Sequence, residues 1–87
     1  MKLLFVILRD MDAEIVSQSL VDRGYRVTRV ASTGGFLRRG NITLMCGVEE
    51  NDIPALIEIL RDKCSPAENS QKRATVFVVD MPHYEQI

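Results

Sequence analysis

The sequence predicts an α+β fold of the ferredoxin-like type, with the order β-α-β-β-α-β and both helices on one face of an antiparallel sheet. Three observations support this prediction. Some segments have the continuous or alternating apolar pattern of strands, two others have helical apolar spacing, and a strand-helix-strand pattern occurs twice. The 87 residues predict a single domain, 1–87, and a domain this small buries a limited share of its surface.

The first half of the chain contains two predicted strands around one helix. Residues 2–9 form a continuous apolar run, which is typical of a strand covered on both faces. Asp12 is the predicted N-cap of a helix over 13–23, and Gly24 follows as its stop. Residues 25–32 alternate, so Arg26 and Thr28 are expected to share one face of the second strand.

The second half repeats this pattern. Residues 42–48 alternate as a strand, and Asn51 is the predicted cap of a second helix. A polar loop over 65–73 precedes a last strand over 74–79. The second helix is predicted from an apolar stripe at helical spacing, formed by Ile53, Leu56, Ile57, Leu60 and Cys64.

Placing both helices on one face leaves the other face of the sheet uncovered. The alternation puts Met45, Phe77 and the Arg26 and Thr28 row on that face. Self-association is the simplest way to cover it, and we therefore expect an oligomer.

Composition and residue types exclude several classes of function. A net charge of −1 argues against a globally basic protein that binds DNA or RNA, and a 46% hydrophobic content argues against disorder. The first ten residues are interpreted as a strand rather than a signal peptide, and no apolar run is long enough for a membrane span. We therefore expect a cytoplasmic protein in which Cys46 and Cys64 are free, buried thiols.

Catalytic and metal-binding patterns are not found in the sequence. The single histidine, His83, lies in the tail beside Pro82, and no cysteine or serine is spaced with a base and an acid. Cys46, Cys64 and His83 have no ligand spacing for zinc. The chain is predicted not to be an enzyme and to hold no metal or cofactor.

Charge is distributed unevenly along the chain. The segment from Arg23 to Val48 contains five arginines and no acidic residue, although the chain has 12 acids.

Arg26 can hold phosphate, the Gly34 and Gly35 pair allows close backbone approach, and Asn41 can pair with a base edge. Phe36 and Leu37 offer a flat apolar surface to a base. These residues indicate an anion or nucleotide site near 26–47, although a plain turn, a subunit anchor and a solvated charge pair remain alternatives.

The stretch 25–50 resembles the PII-like cyclic-di-AMP receptor family, relatives of the nitrogen-regulatory PII proteins. Most of the resemblance depends on "ASTGGFLRRGN", and the opening "MKLLFVILRDMDA" and closing "ATVFVVDMPHYEQI" agree with it. The resemblance implies a homotrimer whose sheets face inward, with cyclic-di-AMP bound between neighbouring subunits and no catalysis. It assigns a phosphate contact to Arg26, and adenine contacts to Thr28, Asn41 and the Gly47 backbone. The other implied contacts are Val27, Gly35, Phe36, Leu37, Phe77 and Gln86.

Two positions depart from the family pattern. Gly24 stands where the family often has asparagine, so a polar contact is missing. The loop over 65–73 is short, whereas the receptors have a long loop there. An alternative is therefore a PII-like trimer that acts as a protein-interaction module or senses a different nucleotide. The downstream protein partner is unknown from the sequence.

Overall fold

The computed structural model describes residues 1–30, 40–66 and 72–87. The elements in these ranges follow the predicted order: β1 Lys2–Arg9, α1 Asp10–Asp22, β2 Val27–Val30, β3 Asn41–Val48, α2 Ile53–Lys63 and β4 Ala74–Asp80. The four strands form an antiparallel sheet in the order β2-β3-β1-β4. This arrangement confirms the predicted α+β fold of the ferredoxin-like type.

The core lies between the sheet and the two helices. Every second residue of the central strands points into it, as the alternating pattern predicts. The helices contribute Val16 and Leu20 from α1, and Leu56 and Leu60 from α2. The prediction of two free, buried thiols is also confirmed. The buried strand residues are Leu4, Val6 and Leu8 of β1, and Leu44, Cys46 and Val48 of β3.

Helix α1 ends as the sequence predicts, at a glycine in the left-handed region. Gly24 has φ +92°, and its amide donates to the Val21 carbonyl at 2.9 Å. The Tyr25 amide donates to the Leu20 carbonyl at 3.1 Å, which completes a Schellman motif. This motif turns the chain sharply from the end of α1 towards β2.

The predicted helix caps are wrong. Helix α1 begins at Asp10 rather than 13, Arg9 occupies the N-cap position, and no side chain caps the helix. Asn51 lies in a 3-10 turn, Glu50–Asp52, and no side-chain cap precedes α2 either. Asp12 cannot serve as the cap because its carboxylate lies inside the first turn and is bound elsewhere.

The Asp12 carboxylate joins three parts of the chain. It is 1% exposed, and its Oδ1 accepts from the Ser65 amide at 3.0 Å and from the Ser65 hydroxyl at 2.7 Å. Its Oδ2 accepts from the Arg9 Nε at 3.1 Å. Burial by itself raises the pKa of Asp12, but the bonds from Ser65 and the charge of Arg9 outweigh it, so the pKa lies below its ordinary value.

Asp12→Asn should destabilise the protein most at neutral pH. Removing one partner of a buried ion pair costs about 3–5 kcal/mol. Because the folded-state pKa of Asp12 is lowered, its contribution is fully present above the unfolded value of about 3.9 and is lost as pH falls through the folded value. Urea unfolding at fixed protein concentration, from pH 7 to pH 3, measures the difference between the wild type and the variant.

The control for this experiment is Asp62→Asn. Asp62 is exposed and pairs only with Lys63 among the described residues, at 3.5 Å. This substitution should change the free energy of unfolding by less than about 0.5 kcal/mol at every pH. A gap between the wild type and Asp12→Asn that stays constant down to pH 3 would contradict the assigned role of the Asp12 charge.

The sheet face away from the helices is largely apolar, and neither α1 nor α2 packs on it. Its residues lie directly opposite one another on neighbouring strands, as Phe5 does with Met45 and with Phe77. Phe77 and Val79 are each 45% exposed. We call this surface the open face; its members are Leu3, Phe5, Ile7, Thr28, Val30, Thr43, Met45, Gly47, Thr75, Phe77 and Val79.

Candidate functional site

A groove of about 740 Å³ lies at the end of the sheet where β1 begins and β3 ends. Its walls come from the β1 start, the turn after α1, β2, the end of β3 and the C-terminal tail. Four of the predicted site residues line it: Arg26, Thr28, Gly47 and Gln86. The structure therefore brings together residues that are up to 60 positions apart in the sequence.

Arg26 and Thr28 reach the groove because of the geometry of β2. The Schellman turn at Gly24 delivers the chain into this strand, and Thr28 lies opposite Met45 on the open face. Both side chains are exposed, and among the described residues no carboxylate forms an ion pair with the Arg26 guanidinium. Its planar donor groups are available to an oxyanion such as phosphate.

Val27 is placed differently from its two neighbours. Its side chain packs against the helix-side core, as alternation along a strand requires. Val27 therefore does not line the groove, although its two neighbours in the chain do.

Gly47 leaves space in the groove because it has no side chain. A Cβ atom there would lie 3.4 Å from Met81 Cε and 3.8 Å from Met1 Sδ. Any larger side chain would compete with these flexible methionines for the same space. The glycine therefore allows a ligand to approach the β3 backbone closely.

The tail is tied to the sheet beside the groove. The Met81 amide donates to the Met1 carbonyl at 3.1 Å, which extends the pairing of β1 with β4 by one step. Lys2 and Asp80 also form an exposed ion pair. These contacts place Tyr84 and Gln86 along the groove wall.

Asn41 does not lie in this groove. It is opposite Arg9 at the far end of β1, whereas Gly47 is opposite Leu3. Asn41 and Gly47 are six positions apart along the strand, which corresponds to about 20 Å. Asn41 is half-buried at the corner where β3 begins.

The other predicted residues fall into two groups. Phe77 lies halfway along the edge strand β4, opposite Phe5 on the open face, and is separate from the groove. Gly35, Phe36 and Leu37 lie outside the described residues. Among the described residues, a single subunit thus presents four predicted contacts in the groove and one, Asn41, at the other end of β3.

The groove also contains residues that the sequence analysis did not select. Arg23 and Tyr84 line it, and so do the carboxylates of Glu49 and Asp52. Arg23 belongs to the arginine-rich, acid-free segment, so the sequence could have indicated it as a site residue. The sequence indicates Tyr84 more weakly, because it is an aromatic residue two positions before the predicted contact Gln86. A cation, an aromatic ring and carboxylate acceptors together suit a ligand that has both phosphate groups and bases bearing amino groups.

A small ferredoxin-like domain with a groove lined by two arginines and two carboxylates, at one end of a largely apolar sheet face, has the features of a protein that binds a polar ligand. The chain belongs to the cyclic-di-AMP receptor family, whose model matches residues 1–73. The matched range includes Arg26, Thr28, Asn41 and Gly47. Phe77 and Gln86 lie beyond it.

One similar solved structure spans almost the whole chain. It is the crystal structure of a functionally unknown protein from Pediococcus pentosaceus, with 33% sequence identity and a TM-score of 0.78. The similarity covers 99% of this chain and 96% of that one. It includes β4 and the tail, which the family match does not reach.

In the described ranges, neither α1 nor α2 has the length and apolar character of a membrane-crossing helix.

Proposed function

We propose that this chain is a PII-like signal-transduction protein that binds cyclic-di-AMP at the subunit interfaces of a homotrimer and catalyses no reaction. The observation that carries the proposal is the division of the predicted contacts. The groove holds Arg26, Thr28, Gly47 and Gln86, whereas Asn41 lies about 20 Å away along β3. A neighbouring subunit that brings its Asn41 end to this groove would complete one site.

The chemistry of the groove supports a cyclic dinucleotide. Arg26 and Arg23 supply two guanidinium groups for phosphates. Thr28 and Gln86 supply hydrogen-bond donors and acceptors, and Gly47 allows a base to approach the backbone. The family to which the chain belongs is described by the same ligand.

The open face supports the trimer. It carries Phe5, Met45, Phe77 and Val79 next to one another, and two of these are nearly half exposed in the single chain. An apolar surface of this kind usually marks an interaction site. Three inward-facing sheets would bury it and would place the two ends of β3 from different subunits side by side.

The cysteines and the histidine support a binding protein rather than an enzyme. Cys46 and Cys64 are buried, and burial raises the pKa of both thiols, which is the opposite of what a nucleophilic thiolate needs. His83 is exposed in the tail, and its Nε2 lies 3.0 Å from Glu85 Oε1. We place the protein in the cytoplasm, as the sequence analysis expects.

A second candidate function rests on two features of the same site. Gly24 contributes no side chain, and the connection from Cys64 to β4 is short. The carboxylates of Glu49 and Asp52 add negative charge to the groove. These features favour a PII-like trimer that senses another nucleotide or signals through a protein partner.

Calorimetric titration with cyclic-di-AMP tests the proposal, with cyclic-di-GMP and ATP as comparison ligands. We expect selective binding of cyclic-di-AMP at close to one molecule per subunit, with sedimentation showing a trimer. If a folded trimer prefers another nucleotide, or retains a protein partner regardless of nucleotide, the second candidate is correct. Absence of heat from any of the three nucleotides would contradict the proposed ligand.

A further inference from the structure

A second cavity lies on the helix side of the sheet, between α2 and the edge strand β4. Its volume is about 260 Å³, and its lining residues come from 57–64 and from 72–76. Strand β4 is at the opposite edge of the sheet from β2, which forms part of the candidate ligand groove. Among the described residues, the two cavities share no lining residue. We call this second cavity the α2–β4 pocket.

Most of the lining of the α2–β4 pocket is apolar. Ile57 and Leu60 line it from α2, and Ala74 and Val76 line it from β4. All four residues belong to the core or pack against it. Val78 is the next residue on the helix side of β4, and it is 49% exposed. The pocket therefore continues along β4 as an apolar strip that is partly open to water.

The charged part of the lining consists of three cations. These are Arg61, Lys72 and Arg73, and no carboxylate of the described residues lines the pocket with them. Arg61 forms a long ion pair with Glu58, at 3.7 Å. Within the described ranges, neither Lys72 nor Arg73 forms an ion pair. A chain with a net charge of −1 thus has a small cavity whose charge is entirely positive.

The end of α2 explains why two of these cations meet. The last carbonyls of a helix carry a partial negative charge, and Arg73 Nη1 donates to the Arg61 carbonyl at 3.2 Å. This bond uses one of the five N–H donors of the Arg73 guanidinium. The remaining donors and the exposed Lys72 ammonium can bind an oxyanion at the rim of the pocket.

We propose that the α2–β4 pocket binds a free, medium-chain carboxylate, with its head group on the three cations and its tail along the apolar strip of β4. The cations favour an anion, and the apolar lining favours a tail over an inorganic ion. A cavity of about 260 Å³ has the volume of about nine water molecules, which suits one short chain. The proposal does not depend on cyclic-di-AMP binding, and association through the open face leaves the helix side uncovered.

Titration of the full-length, ¹⁵N-labelled protein with octanoate, below its micelle-forming concentration, tests the proposal. We expect saturable shifts of backbone amides in 57–64 and 72–78. Butanoate should bind more weakly, by about two- to fourfold for each methylene that no longer contacts the strip. 1-Octanol has the same tail without a charge, and it should bind about fivefold more weakly or less.

Lys72→Gln and Arg73→Gln test the head-group contacts. Each substitution should weaken octanoate binding by about threefold or more and leave 1-octanol binding unchanged. Lys72 is exposed and has no ion pair among the described residues, so its substitution should leave the fold intact. The matched control is Lys63→Gln, because Lys63 is a cation in the last turn of α2 that pairs with Asp62 and does not line the pocket. This control should bind octanoate within about twofold of the wild type.

Several results would overturn the proposal. The first is the absence of a saturable shift with octanoate, or shifts confined to the groove or the open face. Equal affinity for octanoate and 1-octanol would show that the cations are not used, and equal affinity for octanoate and butanoate would show that the strip is not used. An equal loss in Lys63→Gln would show that net charge determines binding. Binding to phosphatidylglycerol vesicles without binding of free octanoate would indicate a membrane surface instead.

Discussion

Arg26→Ala should weaken cyclic-di-AMP binding by about 10- to 150-fold, which corresponds to loss of about 1.5–3 kcal/mol for hydrogen bonds to a charged group. The side chain is exposed in the groove, and none of the described carboxylates forms an ion pair with it. Removing it leaves the phosphate without its planar donor pair. Calorimetric titration at fixed salt measures the change, and sedimentation verifies that the assembly is intact.

Arg29→Ala is the matched control for this prediction. Arg29 lies on β2, three positions after Arg26, but its guanidinium donates to Glu14 of α1 at 3.2 Å, away from the groove. Both substitutions remove one positive charge, so long-range electrostatic effects on binding are similar. Arg29→Ala should bind within about twofold of the wild type. Equal losses in the two variants would show that net charge, not a direct contact, determines affinity.

Phe77→Glu should dissociate the proposed trimer. Phe77 lies on the open face, halfway along the edge strand β4, and the substitution removes about 1.5–3 kcal/mol of apolar burial per subunit. It also places a carboxylate against apolar side chains without a partner, three times in each trimer. Sedimentation at micromolar protein should show monomers, and circular dichroism should show a folded chain, because Phe77 is 45% exposed in the single subunit.

Met11→Glu serves as the control for surface charge. Met11 lies on α1 and is 69% exposed, on the side of the sheet opposite to the open face. This variant should keep the oligomeric state of the wild type. A trimer that survives Phe77→Glu would mean that the open face is not the subunit interface.

Dissociation should also abolish ligand binding, although Phe77 is remote from the groove. The monomer keeps Arg26 and Thr28 but loses the Asn41 end of its neighbour. Titration of Phe77→Glu with cyclic-di-AMP measures the affinity of the monomer, and because Phe77 is itself an implied ligand contact, the decisive result is binding that is retained. Wild-type affinity in a monomer would contradict the division of the site between subunits.

The element order and strand faces were predictable from the sequence because they depend on periodicity alone. Alternating apolar residues in β3 and the continuous run in β1 place Leu44 and Leu4 in the core, and the structure confirms both. The stop of α1 at Gly24 was predictable because few other residues adopt φ +92° without strain. The arginine-rich segment also indicated the region of the candidate site.

The helix starts and the contacts of the Asp12 carboxylate were not predictable in the same way. Asp12 has the sequence signature of an N-cap, but its carboxylate binds Ser65, 53 positions further along the chain. Local propensity carries no information about such a partner. Tyr84 likewise joins the groove only because the tail folds back along β1.

The sequence by itself determined the fold class, the two faces of the sheet and the arginine-rich region, because each follows from local spacing and residue type. Only the tertiary structure decided that Asn41 and Gly47 stand at opposite ends of β3, and that Arg9 joins the start of that strand to the segment after α2. These are relations between distant parts of the chain. Their physical basis is strand register and the need to satisfy a buried carboxylate, and neither is encoded in any single stretch of residues.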